Sequence, residues 1–260
     1  MNNINLKNIT EDLIETFLKA GKIAKEISQK GVKITIKPDK SPVTDGDLAV
    51  DKILRNKIKI VTPEIPIISE ETVNLNIKNE NKTFWLIDPI DGTRDYIKEG
   101  DEYTLNAALI VDFKPAAGIV YAPAKDRLFY AHGRNLAFES CGGKIINLNC
   151  KKKNANTKEI IGLENSSNTP NEVLEIYKKY KVSKTVRMSS SLKFCVLAAG
   201  EADIYAANAR AFEWDIAAGH AILEHAGGSI TTHKKEKILY GKENYKNLPI
   251  IAKRAVNLEV

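Results

Sequence analysis

The chain of 260 residues is short of several things, and each shortage narrows what it can be. It holds only three cysteines: Cys141, Cys150 and Cys195. Their odd number and wide spacing exclude a disulfide framework and a cysteine-based zinc site, and they fit a reducing, cytoplasmic compartment. No apolar run approaches the roughly 20 residues of a bilayer span, so no transmembrane segment is expected. Peripheral association with the inner membrane stays open. The polar start Asn2-Asn3-Ile4-Asn5 has none of the basic and then apolar character of a secretory leader. Internal repeats and low-complexity tracts are missing too. So is a basic stripe interleaved with aromatics: the one short lysine run, Lys151-Lys152-Lys153, sits in an Asn-rich connection. The net charge of +6 therefore argues for a field that draws in a small polyanion, not for a nucleic-acid partner.

What stands out instead is acid at element boundaries. Trp85-Leu86-Ile87-Asp88-Pro89-Ile90-Asp91-Gly92-Thr93 is an apolar run ending in two aspartates around a proline. Such runs are buried strands, and ligands gather where they end. Pro89 pushes Asp88 into extended backbone, and Gly92 permits a tight turn. Two hard oxygen ligands on a stiff turn, beside freed N–H groups, suit a divalent cation carrying phosphate. The bare pattern also suits an ordinary Asx turn. Partner acids decide between the two. Ile67-Ile68-Ser69-Glu70-Glu71 is a second acid-tipped run; Asp45-Gly46-Asp47 and Glu213-Trp214-Asp215 open helical patterns. Capping explains acids at helix starts. It does not explain acids at the ends of two strands as well.

Ser69-Glu70-Glu71, Asp88-Pro89-Ile90-Asp91-Gly92-Thr93 and Trp214-Asp215-Ile216-Ala217-Ala218-Gly219 together resemble the signatures of the inositol monophosphatase superfamily, which are magnesium-dependent, lithium-sensitive phosphomonoesterases. Ser41-Pro42-Val43-Thr44, the Arg94-Asp95-Tyr96 that follows Thr93, and Ser190-Ser191-Leu192-Lys193-Phe194-Cys195 make the chain most similar to the bacterial 3′(2′),5′-bisphosphate nucleotidases within it. The resemblance implies an α+β fold, a layered α/β sandwich of the inositol monophosphatase / fructose-1,6-bisphosphatase type. It implies two or three Mg2+ ions per site, with Glu70, Asp88 and the Ile90 carbonyl on the first, and Asp88, Asp91 and Asp215 on the second. Glu70 would also hold a weaker third ion beside the attacking water. Asp47 and Thr93 would assist as a base pair, and Gly92 and Thr93 N–H groups would hold phosphate. Ser190 and Lys193 would contact a nucleotide, with a capping serine and a surface lysine as the plain alternative. The implied substrate is a small phosphate ester, adenosine 3′,5′-bisphosphate, with inositol or fructose phosphates as the runner-up and a monomer or homodimer as the assembly. One departure stands out: nucleotidases carry an arginine where this chain has Ala207, with Arg210 three residues on.

The remaining pattern orders the elements. Thr10 is expected to cap a first helix whose buried stripe is Leu13, Phe17, Ala20, Ala24 and Ile27, ended by Gly31. A strand at 33–37 and a helix at about 47–60 follow, then the two acid-tipped strands. From Tyr103 to Leu148, segments separated by Gly and Pro read as an antiparallel meander. The polar stretch 151–157 is the expected boundary between a domain of residues 1–150, carrying most metal ligands, and one of residues 151–260, supplying Asp215 and substrate contacts. Beyond it strands and helices alternate, with a helix from Pro170 to Tyr180, one from Ser190 to Ala199, and one from Asp215 to Gly227-Gly228. Glu71, Asp45 and Glu213 are expected to be solvated or merely supporting.

Overall fold

The structure, a computed structural model, describes residues 4–38, 40–75, 77, 79–150, 159–165 and 168–254. Helix α1 (Leu6–Lys30) starts one turn earlier than expected. Asn5, not Thr10, is its cap, its side chain accepting the Asn8 N–H at 3.1 Å. Thr10 lies inside the helix and its hydroxyl donates to the Leu6 carbonyl. The earlier start is rewarded because Leu6 and Ile9 extend the apolar stripe of Leu13, Phe17, Ala20 and Ala24. Strands β1 (Ile34–Ile36), exposed, and β2 (Pro42–Thr44), with Val43 and Thr44 buried, form an antiparallel ribbon leading to α2 (Asp45–Val61). Next come β3 (Ile67–Ser69), β4 (Phe84–Asp91), the short α3 (Thr93–Ile97), β5 (Thr104–Val111), β6 (Lys114–Ala122), β7 (Arg127–Ala131), β8 (Ala137–Cys141) and β9 (Lys144–Asn147).

Strands β3 to β9 lie side by side in chain order as one sheet. The meander from β4 to β9 is antiparallel as expected, but β3 runs parallel to β4. That exception matters for the site. The long apolar strands have a simple cause: both sheet faces are covered. On β4, Trp85 and Ile87 enter the core under α1 and α2, while Phe84 and Leu86 enter the opposite core. Alternation survives as a choice between two cores instead of core against water.

The rest of the chain supplies β10 (Ile161–Glu164), α4 (Asn171–Lys179), β11 (Lys184–Arg187), α5 (Leu192–Ala199), β12 (Ile204–Ala207), α6 (Trp214–His225), β13 (Ser229–Thr232) and β14 (Ile250–Lys253). The strands order as β11-β10-β12-β14-β13, parallel around β10 and antiparallel around β14. Strand β13 had no expectation in the sequence, because the Gly227-Gly228 that stops α6 reads simply as a loop. The stretch 151–157 expected to divide the chain lies outside the described residues. Helices α5 and α6 sit between the two sheets: α6 packs on β5 and β6, α5 on β12 and β14, and α4 covers the far face at β12. The molecule is thus layered, α1/α2, sheet, α5/α6, sheet, α4. Cys195 is a small buried side chain in α5.

The close α5–α6 contact needs Gly219. A Cβ there would stand 2.6 Å from Phe194 Cβ, an atom tied to the α5 backbone. Gly219→Ala is therefore expected to destabilise by about 1–3 kcal/mol through overpacking, read as a lowered urea midpoint at unchanged slope. Unaltered stability would show that the helices have slack here.

Candidate active site

Strand pairing builds the acidic centre. The parallel register Ser69↔Ile87 sets Glu70, just past β3, next to Asp88, and the Glu70 N–H donates to the Ile87 carbonyl at 3.1 Å. Strand β4 does not stop at Asp88, as expected, but runs on to Asp91 through an irregularity between those two residues. Pro89 sits inside that bulge, where the missing N–H costs no ladder bond and the kink re-aims the side chains. The third contribution comes from the far side: Asp215, in the first turn of α6, accepts the Phe212 N–H at 2.8 Å. One carboxylate oxygen each from Glu70, Asp88 and Asp215 lie within 4.8 Å of one another. Asp91 faces the same cavity as Glu70 and Asp215. Its N–H partners are Ser191 and Gly92.

The electrostatics are adverse for bare acids. Burial, and then the charges of Glu70, Asp91, Asp215 and Asp47, push Asp88 well above the usual carboxylate range. Asp215 is pushed well up by burial and by Asp91 and Glu70. Burial raises Asp91, against the pull of Lys193, and raises Glu70, against the pull of Lys37. Asp88 Oδ1 is buried without a hydrogen-bond partner, which is costly unless another group is meant to meet it. Hard carboxylate oxygens, mutual repulsion and one unmet buried oxygen fit a divalent cation of the Mg2+ type.

Asp47 uses its two oxygens differently, one in the cap and one toward Thr93. It is the third residue of a capping box, not the cap itself. Its Oδ2 accepts the Thr44 N–H at 2.7 Å and the Thr44 hydroxyl at 2.5 Å. Its Oδ1 lies 3.4 Å from the Thr93 hydroxyl, which also reaches the Ile90 carbonyl at 3.1 Å. Burial pushes Asp47 up to about 6. Gly92 takes φ +90° ahead of α3, a conformation glycine alone adopts cheaply. Its N–H is engaged by Asp91, so a phosphate oxygen would have to share it.

A cavity of about 610 Å3 opens from the acids. Ser190, Lys193, Tyr205, Ala207, Asn208 and Arg210 line it, together with Asn165 and Leu248. Lys193 is not the surface lysine of the plain reading. It is buried, donates to the Ser190 carbonyl and to Asn165 Oδ1, and lies 5.2 Å from the Tyr205 ring centroid. Burial lowers it to about 8, with Asp91 pulling the other way.

Of the acids expected to be solvated or supporting, two are buried and support their surroundings. Glu213 is fully buried and accepts N–H bonds from Gly241 and Lys242, anchoring that loop by the α6 start. The Glu71 side chain is nearly buried and receives the Lys37 ammonium at 2.8 Å, while the same ammonium reaches Glu70 at 3.2 Å. Sequence reasoning missed Lys37, which has no marker beyond its place before Ser41-Pro42. It also missed Asn165, which carries no motif at all.

The matched family model, described as the inositol monophosphatase family, covers residues 5–257. The chain belongs to that family. It is 41% identical over 207 residues to the 3′(2′),5′-bisphosphate nucleotidase CysQ of Buchnera aphidicola, spanning 79% of this chain and 76% of that one. Against the nucleotidase CysQ of Escherichia coli K12 it is 32% identical over 202 residues, spanning 77% and 80%. The crystal structure of CysQ from Bacteroides thetaiotaomicron, described as a bacterial member of the same family, is similar at a TM-score of 0.76 and 27% identity, over 96% of this chain and 98% of that one.

The raised carboxylates carry a stability consequence. An acid whose folded value lies above its unfolded value near 4 binds more protons in the fold than in the unfolded chain. Its favourable contribution is present at low pH and is lost as pH rises from about 4 through the folded value. In EDTA-treated protein, Asp88→Asn should therefore raise Tm at pH 7.5 relative to the parent, and the gain should shrink toward pH 4.5. A lower Tm at both pH values would mean that Asp88 is not under repulsion.

Proposed function

We propose that the chain is a metal-dependent 3′(2′),5′-bisphosphate nucleotidase, hydrolysing adenosine 3′,5′-bisphosphate to AMP and phosphate. The observation that carries this is the meeting of Glu70, Asp88 and Asp215 beside a cavity large enough for a nucleotide. Glu70, Asp88, Asp91, Asp215 and the Ile90 carbonyl would hold two or three Mg2+ ions, with lithium as the expected inhibitor. When bound, the ions neutralise the phosphate and make the attacking water more acidic. The residues do the rest. Asp47 accepts the Thr93 hydroxyl proton, which leaves the Thr93 oxygen free to accept a proton from the water. Thr93 presents its backbone N–H to phosphate oxygens, and Gly92 would share with them the N–H that Asp91 engages.

The nucleoside end would lie along Tyr205, Phe194 and Leu248, with Ser190, Lys193 and Arg210 toward its polar groups; all six line the cavity. Ala207 lines it as well, so a small side chain stands where the arginine is expected, with Arg210 also lining the cavity. That replacement is the one observation favouring the alternative, an inositol or fructose phosphate. The division of labour follows the chain: residues 1–150 carry Glu70 just past β3 and the aspartates of β4, and residues 151–260 supply Asp215 and the nucleoside contacts. No described helix is long and apolar enough to cross a membrane. A cytoplasmic enzyme, monomeric or homodimeric, completes the proposal.

Two measurements test it. In a panel assay in Mg2+, kcat/KM for adenosine 3′,5′-bisphosphate is expected to exceed that for inositol 1-phosphate and fructose 1,6-bisphosphate at least about tenfold, a difference of about 1.4 kcal/mol in transition-state binding. Parity would leave a phosphatase but remove the nucleotidase. Asp47→Asn should lower kcat by about 10²–10⁴-fold with little change in KM, since the amide can still accept the capping hydrogen bonds but cannot take a proton. Unchanged kcat would reduce Asp47 to a capping residue.

A further inference from the structure

The turn Ser189-Ser190-Ser191 enters the cavity between the two sheets, and it is held from behind by side chains that the chemistry above does not use. Thr104 and Asn106 lie on β5, paired with Asp91 and Asp88 of β4 respectively. Both are buried, as is Ser191. The Ser191 hydroxyl donates to Asn106 Oδ1. With its proton committed there, Ser191 Oγ must be the acceptor in its 2.9 Å contact with the Thr104 hydroxyl. The Asn106 amide in turn donates to Thr104 Oγ1 at 3.3 Å and to the Thr104 carbonyl at 3.1 Å. The three side chains close a directed ring in which each one both donates and accepts. Buried rings of this kind are rigid when complete and costly when broken.

The ring holds a turn that needs holding. Ser190 has φ +52°, a region disfavoured for a residue with a Cβ. On one side of the turn the Ser191 N–H reaches Asp91. On the other side the Ser190 carbonyl receives the Lys193 ammonium. Glu102 steadies the start of the turn by accepting the Ser189 N–H at 2.7 Å. One short turn therefore serves a metal-ligand candidate and a substrate-contact candidate together.

We propose that Thr104, Asn106 and Ser191 are positioning residues: their ring sets the carboxylate of Asp91 and the seat of Lys193 jointly, so that cation affinity and substrate affinity depend on the same hydrogen bonds. This rests on Asp91 being a metal ligand, as proposed above. The test uses the full-length protein and compares Thr104→Val, which keeps the shape and loses the hydroxyl, with Thr104→Ser, which keeps the hydroxyl. Mn2+ affinity is read by electron paramagnetic resonance of the free ion, without substrate, and kcat and KM are read separately for adenosine 3′,5′-bisphosphate. T104V is expected to raise both the Mn2+ Kd and KM at least about fivefold, the consequence of one broken buried hydrogen bond, and T104S to return both to within about twofold of the parent. A merely structural hydroxyl would lower Tm in T104V and leave Mn2+ Kd and KM unmoved, which overturns the proposal. If T104V does not fold, Ser191→Ala opens the same ring and must weaken Mn2+ binding and KM in the same way; parental values overturn the proposal equally. Asp91→Asn is the control that separates the two ideas. If it binds Mn2+ as tightly as the parent, the ligand assignment fails and the ring proposal with it; if it loses Mn2+ while T104V does not, the ring alone fails.

Discussion

Repulsion among buried carboxylates is the constraint around which the rest is arranged. Asp88 and Asp215 are buried or half-buried within reach of Glu70, and Asp91 faces the same space. Left to themselves these groups would separate or take up protons. The fold prevents separation by drawing the acids from elements that are independently anchored: a parallel strand pair for Glu70 and Asp88, a bulge for Asp91, and a helix start for Asp215. Each anchor is made of backbone hydrogen bonds and core packing, which acid side chains do not disturb. The adverse field is therefore stored where a divalent cation would relieve it, a trade of stability for function of the kind that functional sites show.

The layered architecture explains how such distant residues meet. Helices α5 and α6 are shared between the two sheets, so the starts of both, with Lys193 and Asp215, face the strand ends that bear Asp88 and Asp91. Gly219 permits the close approach of these two helices. The Glu213 anchor to Gly241 and Lys242 then ties the start of α6 to the loop before β14. Both signs of charge share the cavity: Glu70, Asp91 and Asp215 line it together with Lys193 and Arg210, and both cations pull on Asp91. That mixture suits a polyanionic ester, with cations beside the acids to meet its negative charge.

Much of this was legible in the sequence because the site is built from local pieces. Acid at the tips of apolar runs, a proline between two aspartates and an aspartate opening a helix are short-range patterns, and the structure brings Glu70, Asp88 and Asp215 together with Asp91 on the same cavity. What was not legible depends on register and tertiary packing. The parallel pairing of β3 with β4 has no local marker, nor does the continuation of β4 through Pro89 to Asp91. The start of α1 at Asn5 was obscured by Thr10, an equally good cap in isolation. For Lys193 the sequence left a nucleotide contact and a plain surface lysine side by side; the burial that removes the second comes from Asn165 and the Ser190 carbonyl, both outside its helix. Strand β13 was hidden because β14, the strand it pairs with, arrives eighteen residues later in the chain, from Thr232 to Ile250.

The most direct test of the central claim is crystallographic. Crystals grown with Mn2+ and measured above the manganese absorption edge should show anomalous peaks bounded by Glu70, Asp88, Asp91 and Asp215. The absence of any peak there at saturating Mn2+, with the carboxyl groups protonated and hydrogen-bonded to one another, would contradict the account at its root.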